Sequence, residues 1–471
     1  MLARCELASA SVLAQHCLGP GRGEPTFISC SARDSLAARC NKVHRRPHRL
    51  YLRRCLLGER IQSRDSAAQT IFDPIPHCGI SASAKGVPEP LSQSHVFSAQ
   101  LSPDGRSPPG RTLLHESAQN SLLQLLPTND RSRTKPVLSH FANFTVPTIC
   151  SSPRSSASWR ETIPVIAAHH PYVLHGVLAV GALHLSTITN VASEKEDYQN
   201  LAATQMNMEL AQYREDVQNV STTNAEALFA FSTMFTIFVH STSKTERLDT
   251  FKLLNRTDIS AESHQRLVLD LTQGICRIFR SIRGVLLILV PCWHHIRNGS
   301  LGPVVERDWW PSRVPVTTEE FEHDQRLQNL EKMWAHPGRS YEYFFDTLAR
   351  ALKILRETST LVSRLATLTS PGQSLSHEDF DWTSIVPWIT EIPFEFITLL
   401  EQQRMEAWVL MAHYALLPSK IQSSWWLDGW AIDMFITSAL AIGEENWDWI
   451  SWPAAVLEID LDGLRMQHAL D

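Results

Sequence analysis

The chain has 471 residues, carries a net charge of −6, and is 43% hydrophobic. Such a length exceeds that of a typical single compact domain, and the apolar fraction is sufficient to fill a large core. The longest uninterrupted aliphatic run, Val285–Val290, is far shorter than the ~20 residues that a membrane-spanning helix needs, so the sequence predicts no membrane span.

The first 111 residues differ in charge from the rest, with a net charge of +7 against −13 for residues 112–471. Because residues 1–111 are rich in Ser, Pro, Gly and Arg and show no sustained period, they are predicted to be a disordered basic segment. A basic patch within them is either a nuclear import signal, an arm that contacts phosphate, or a chance cluster. Its basic residues are Lys42, Arg45, Arg46, Arg49, Arg53 and Arg54.

The body, residues 112–471, contains the stretch "HHPYVLHGVLAVGALHLS" from His169 to Ser186. It predicts a helix, since Pro171 suits the first turn, where its missing N–H does no harm. Its small residues let a second helix approach closely, at a cost of roughly 1 kcal/mol for each glycine relative to alanine. His175 and His184 are nine residues apart and therefore lie on opposite sides of a helix, which argues against a metal site.

Two further segments predict buried helices. In "TTNAEALFAFSTMFTIFVHS", Thr223 and Glu226 fit a capping box, and the apolar residues that follow surround the helix on all sides, which is typical of a central helix. The segment "RGVLLILVPCWHHIRNGSLGPVV" predicts a buried helix, an aromatic turn and a Gly/Pro loop.

Later helices are marked by their ends. Thr317 and Glu320 fit a second capping box, which predicts a helix start. Residues 340–371 predict one or two helices, and residues 404–418 predict another. The stretch "WAIDMFITSALAIG" predicts a helix that ends in a glycine suited to a left-handed cap. Strand signals are weak throughout. We therefore predict an all-α body over residues 112–471.

No catalytic or metal-binding residue is predicted. The chain lacks a Gly-rich phosphate loop and a Gly-x-Ser-x-Gly elbow. Two acid clusters, Glu319–Asp324 and Ser376–Trp382, suggest the Mg²⁺ ligands of an all-α terpene cyclase, but no second metal box follows. We predict that both clusters are solvated surface and that the chain is not an enzyme.

Aromatic side chains supply the candidate ligand-binding residues. Two C-terminal stretches hold six of the fourteen tryptophans, and such clusters line either core seams or ligand cavities. Core packing is the preferred interpretation for most of them. The candidates on helix faces are Phe231, Met234, Phe235, Phe238, Met411, Tyr414, Trp425, Trp426 and Trp430.

The body resembles the regulatory region of fungal binuclear zinc-cluster (Zn₂Cys₆) transcription factors, and within them the sterol uptake control proteins. The resemblance rests on five stretches in order over 126–457: "AHHPYVLHGVLAVGALHLS", "NAEALFAFSTMF", "RGVLLILVPCWHHIRNGSLGPV", "WVLMAHYALLPSKIQSSWWLDGW" and "WDWISWP". It implies an all-α ligand-sensing domain in the nucleus, which dimerises with itself or with another transcription factor. It also implies an apolar ligand, which in that subgroup is a sterol whose binding controls entry into the nucleus. Many relatives regulate secondary-metabolite genes.

The sequence departs from this family at its N-terminus. The family's DNA reader needs Cys-x₂-Cys-x₆-Cys and a second similar set to hold two zinc ions, whereas Cys5, Cys17, Cys30, Cys40 and Cys55 lie 10 to 15 positions apart. No zinc and no direct DNA contact are therefore predicted for this chain. Either the reader is missing, or these residues do not represent the native start.

Three functions remain open on the sequence alone. The first is a transcription regulator that retains only its regulatory domain, in the nucleus, or in the cytoplasm when ligand-bound. The second is a stand-alone sterol-binding or small-molecule-binding protein. The third and least favoured is a terpene cyclase-like enzyme.

Overall fold

The structure is a computed structural model that describes residues 120–150, 152–256, 259–306, 311–368, 381–421 and 424–464. Across this part of the chain every regular element is helical and no strand occurs, which confirms the all-α prediction. The basic patch, the five N-terminal cysteines and the predicted disordered segment 1–111 lie outside the described residues.

In the described part of the chain, the α-helices of six or more residues are α1 (Thr128–His140), α2 (Pro153–His169), α3 (Pro171–Ile188), α4 (Ala192–Asn207), α5 (Leu210–Gln218), α6 (Ala225–Leu254), α7 (Ala261–Asn298), α8 (Thr318–Gln328), α9 (Phe345–Leu368), α10 (Val386–Glu391), α11 (Phe394–Glu401), α12 (Met405–Tyr414), α13 (Trp430–Ile442) and α14 (Ser451–Val456). One hydrophobic core joins them, from Leu122 before α1 to Ala454 in α14. The predicted capping box at Thr317 and Glu320 is present at the start of α8.

Helix α3 lies at the centre of the N-terminal half. It begins at Pro171 as predicted and packs against α1, α2, α4 and α6. It is also long and apolar enough to cross a membrane by length and composition, but 72% of it is buried inside the protein. That burial is typical of a core helix.

Two glycines of α3 sit where neighbouring helices come closest. A Cβ atom added to Gly176 would lie 2.9 Å from Cε of Met234 on α6, and one added to Gly181 would lie 3.1 Å from the backbone oxygen of Val137 on α1. Both distances are shorter than ordinary van der Waals contact. The prediction that small residues allow close helix packing is therefore confirmed.

Two local predictions are wrong. Asn224, rather than Thr223, holds the N-cap position of α6, and no side chain caps the helix. The Glu226 carboxylate instead accepts the backbone N–H of Leu301 at 2.8 Å. Helix α7 does not turn at Pro291 but continues to Asn298. Pro291 is exposed on this helix. In the run Val285–Val290 before it, Ile288 is buried and the other residues are half-buried, because only one face of α7 covers the core.

Candidate functional site

The nine aromatic and methionine candidates lie in the core of the protein. Seven are buried, and Phe235 and Trp425 are half-buried. On α6, the Phe231 ring meets Tyr172 of α3 and Tyr213 of α5, with ring centroids 5.4 and 4.5 Å apart. These contacts are typical of core packing between helices.

A second ring cluster joins α12 and α13. Tyr414 stacks on Trp388 with centroids 4.3 Å apart, and its hydroxyl donates to the backbone oxygen of Ile385 at 3.1 Å. Trp430 meets the edge of Tyr414 at 6.3 Å. None of the nine candidates lines the cavity described below, so their role in ligand binding stays a prediction.

The second half of α6 carries a polar face that is buried. His240, Ser243 and Arg247 follow one another at helical spacing and are all buried. The His240 ring lies edge-on to Trp426 and Trp430, with centroids 5.2 and 4.6 Å away. Burial lowers the pKa of His240 well below its ordinary value, so this histidine is neutral in the folded protein.

Arg247 and Asp433 form a buried ion pair between α6 and α13. The guanidinium is 3% exposed, and its Nε donates to Oδ2 of Asp433 at 3.1 Å. The terminal nitrogens Nη1 and Nη2 are buried and have no hydrogen-bond partner in the described part of the protein. Burial lowers the pKa of Arg247, against the opposing effect of Asp433, and raises the pKa of Asp433.

A cavity of about 330 Å³ opens beside this arginine, between α6 and α7. Its lining is mainly polar and includes two arginines and two acids; one pair of these, Arg277 and Glu246, is joined across the helices at 3.4 Å. The lining residues are Ser243, Glu246, Arg247, Thr250, Asp270, Leu271, Gly274 and Arg277. A buried, incompletely bonded cation next to a cavity makes this the candidate binding site.

The acids of α8 are engaged in ion pairs. Arg364 donates to both carboxylate oxygens of Glu320 and holds its pKa at about 2, and Arg356 likewise pairs with Asp324. The prediction of a solvated surface is wrong for these two residues, because α9 packs its arginines against them. Of Ser376–Trp382, only Asp381 and Trp382 are described. No group of metal-ligating side chains occurs in the described ranges.

A second buried polar cluster surrounds His184 of α3. Its Nδ1 lies 2.9 Å from Oγ1 of Thr145 and 3.2 Å from Nε2 of His140, and its ring stacks on Trp425 at 4.7 Å. Burial lowers the pKa of His184 to about 4. The cluster is a neutral, hydrogen-bonded part of the core.

Sequence reasoning missed Arg247 and Asp433. One available signal was the spacing of His240, Ser243 and Arg247 by three and then four residues, which places them on one face of a helix. Another was the single acid in the apolar helix Trp430–Ile442. Polar residues at helical spacing on a buried helix mark a polar seam in the core.

Comparison with known proteins adds one finding. Residues 136–251 match the family described as the fungal specific transcription factor domain. Over these residues the match agrees with the coarser part of the predicted resemblance, a regulatory region of a fungal transcription factor. A search of curated proteins and a search of solved structures each returned no match.

Proposed function

We propose that this chain is a fungal transcription regulator whose residues 112–471 act as its regulatory domain and control a secondary-metabolite or sterol-related gene set. The match of residues 136–251 to the fungal specific transcription factor domain carries the proposal. It supports a regulatory protein that acts in the nucleus rather than an enzyme.

The packing of the body supports a regulatory unit larger than the matched segment. The match ends inside α6, at Phe251, while the same hydrophobic core continues through α7 to Ala454. A contiguous core defines one packed unit, so the proposed regulatory domain includes the helices on both sides of the point where the match ends.

The α8 acids support a role other than terpene cyclisation. Mg²⁺ binding to a diphosphate needs carboxylates that face an apolar cavity. In the structure, Arg364 and Arg356 already occupy the carboxylates of Glu320 and Asp324. Their positive charges would also repel a metal ion.

Tethered transcription tests the proposal. The full chain is fused to an unrelated DNA-binding domain in a fungal cell, and transcription from a reporter with matching sites is measured. We expect a change relative to the DNA-binding domain alone, and accumulation of the tagged full chain in the nucleus. A fusion of residues 1–111 alone is the control, because it shows whether the basic segment produces the effect without the helical body.

The alternative function gives a different result. A stand-alone small-molecule-binding protein would leave the reporter unchanged, remain in the cytosol, and carry an extractable sterol or other apolar ligand. That combination would contradict a transcriptional role. Mapping the 5′ end of the transcript would separately show whether an upstream exon supplies six cysteines with the spacing of a zinc-cluster DNA reader.

A further inference from the structure

We propose that the cavity between α6 and α7 binds a small primary amine in its ammonium form, held by oxygen atoms that line the cavity. This site goes beyond the proposed function and does not depend on it, since it rests on which hydrogen-bonding groups line the cavity. Its chemistry also differs from that of the apolar ligand that the family resemblance implies.

The two hydroxyl groups that line the cavity from α6 can offer a ligand only lone pairs. Oγ of Ser243 donates its hydrogen to the backbone oxygen of Val239 at 2.7 Å. Oγ1 of Thr250 donates in the same way to the backbone oxygen of Glu246 at 2.8 Å. A hydroxyl has one hydrogen and two acceptor lone pairs, so a hydroxyl whose hydrogen is used within its own helix accepts from a ligand. A donor-rich ligand therefore fits this wall of the cavity.

The two arginines that line the cavity do not make it a site for an anion. Arg247 gives its Nε to Asp433, and its Nη1 and Nη2 are buried too deeply for a ligand atom to reach. Arg277 is engaged by Glu246 across the helices at 3.4 Å. The positive charge of each arginine is therefore offset by an acid beside it.

Asp270 supplies the charge that selects a cation. It lines the cavity from α7, is exposed, and its carboxylate has no ion pair or hydrogen bond within the described part of the chain. Since the two arginines are balanced by their acid partners, this carboxylate is the charge in excess at the cavity. An ammonium group has three N–H donors and no acceptor, which suits a carboxylate together with two hydroxyl oxygens.

The volume and one wall of the cavity limit the size of the amine. The volume of about 330 Å³ is close to the lower limit for ligand sites, which corresponds to one ring or a short chain. Leu271 and Gly274 give one wall an apolar character. A Cβ atom at Gly274 would meet only Nη2 of Arg277, at 3.8 Å, so this glycine leaves space for the apolar part of the ligand.

Calorimetric titration of the purified full chain at neutral pH and low ionic strength tests the site. Benzylamine is the probe, because it carries an ammonium group with three N–H donors on one small ring. Benzyl alcohol keeps the ring without the charge, benzyltrimethylammonium keeps the charge without the N–H donors, and benzoate reverses the charge. We expect benzylamine to bind, and each of the other three to bind more weakly by at least about fivefold.

A pair of aspartate variants tests the source of the charge. Asp270→Asn and Asp249→Asn each remove one negative charge at an exposed position, where folding should not be disturbed. Only Asp270 lines the cavity, whereas Asp249 pairs with Lys252 at the surface of α6. We expect Asp270→Asn to weaken benzylamine binding by about fivefold or more, because a hydrogen bond to a charged acceptor is roughly twice as strong as one to a neutral acceptor. Asp249→Asn should bind as the unsubstituted chain does.

A pair of glycine variants tests the location of the probe. Gly274→Leu places a side chain in the cavity at a helical position with room for it, and we expect it to abolish benzylamine binding while the helical circular dichroism spectrum stays unchanged. Gly284→Leu is the matched control, because Gly284 lies on the same helix, outside the cavity, with no atom within 4 Å of its Cβ position. We expect this control to bind benzylamine as the unsubstituted chain does.

Three outcomes would overturn the proposal. The first is that benzylamine fails to bind the unsubstituted chain, in which case the cavity holds only solvent. The second is equal benzylamine binding by the two members of either variant pair, which would place the probe elsewhere. The third is binding of benzyl alcohol, benzyltrimethylammonium or benzoate as tight as that of benzylamine, which would contradict a site for an ammonium group. None of these results depends on reporter transcription.

Discussion

Helix α6 makes two kinds of contact along its length. Its first half, around Phe231 and Met234, packs against α3 at Gly176 so closely that one extra carbon atom would overlap. Its second half, from His240 onward, presents polar side chains to α13 and to the cavity shared with α7. The same continuous helix thus forms a close-packed apolar contact and an open polar one.

The difference follows from the side chains at each contact. Glycine on α3 removes the side chain that would separate two helix backbones, so the aromatic rings of α6 fill the space. On the second half, Glu246 and Arg277 meet across the helices, and Arg247 turns toward Asp433. Long charged side chains that pair with one another leave space between them that apolar side chains would fill. Rigid packing and a binding cavity can therefore occur on one helix.

Removal of Asp433 is expected to have the largest effect. Asp433→Ala leaves the buried Arg247 guanidinium without the carboxylate that pairs with it, and loss of one partner of a buried ion pair typically costs about 3–5 kcal/mol. Chemical denaturation of the purified chain measures this loss. The matched control is Glu262→Ala, which removes an exposed ion pair with Arg266 and should cost less than about 1 kcal/mol.

The double variant Arg247→Met with Asp433→Leu sharpens the same prediction. Because it removes both charges together, we expect it to recover most of the stability that Asp433→Ala loses. If Asp433→Ala were as stable as the control, Arg247 would have other partners, and the contrast between the two halves of α6 would be lost.

Acid is expected to destabilise the protein through His184, which is buried on α3. The folded-state pKa is about 4, against about 6.5 in the unfolded chain. The unfolded state therefore binds a proton first, so stability is complete above pH 6.5, falls as the pH drops toward 4, and changes no further below it through this residue. The difference corresponds to about 3 kcal/mol at most. Denaturation midpoints measured from pH 7 to pH 4 follow this change.

His184→Asn isolates this effect, because an amide retains a polar atom near Thr145 without gaining a charge. We expect the variant to lose less stability between pH 6.5 and pH 4 than the unsubstituted chain. His294→Asn, at an exposed position on α7, serves as the control and should keep the original slope. An identical slope in all three proteins would mean that His184 is protonated as easily in the folded as in the unfolded state.

Much of the fold could be predicted from the sequence, whereas the candidate site could not. Pro171 and the capping box at Thr317 are local signals, and they mark helix starts correctly because a helix start depends on adjacent residues. Glu226 shows the limit: its partner, Leu301, is 75 residues away. Arg247 likewise meets Asp433 across 186 residues, so only the folded chain reveals which buried polar groups are paired.

A methyl group at Gly181 tests the packed contact directly. Gly181→Ala places its Cβ against the backbone oxygen of Val137, which cannot rotate away. Overpacking of a core costs about 1–3 kcal/mol, partly offset by about 1 kcal/mol of helix propensity, so we expect a net loss of stability. Gly176→Ala should also lose stability, because its Cβ would lie 2.9 Å from the flexible end of Met234 and 3.0 Å from the buried ring of Phe231. Thermal denaturation ranks the two, and equal stability of Gly181→Ala and the unsubstituted chain would show that α1 and α3 are not in close contact.

Alanine at Gly274 should have the smallest effect on stability, and it should raise stability rather than lower it. Its Cβ meets only the end of Arg277, so Gly274→Ala gains helix propensity without a clash, and we expect stability to rise by about 0.5–1 kcal/mol. Gly284→Ala, with no neighbouring atom, is the control and should rise by a similar amount. Loss of stability at Gly274 alone would mean that α6 and α7 are packed as tightly as α3 and α6. In that case the space beside Arg247 would be too narrow for any ligand.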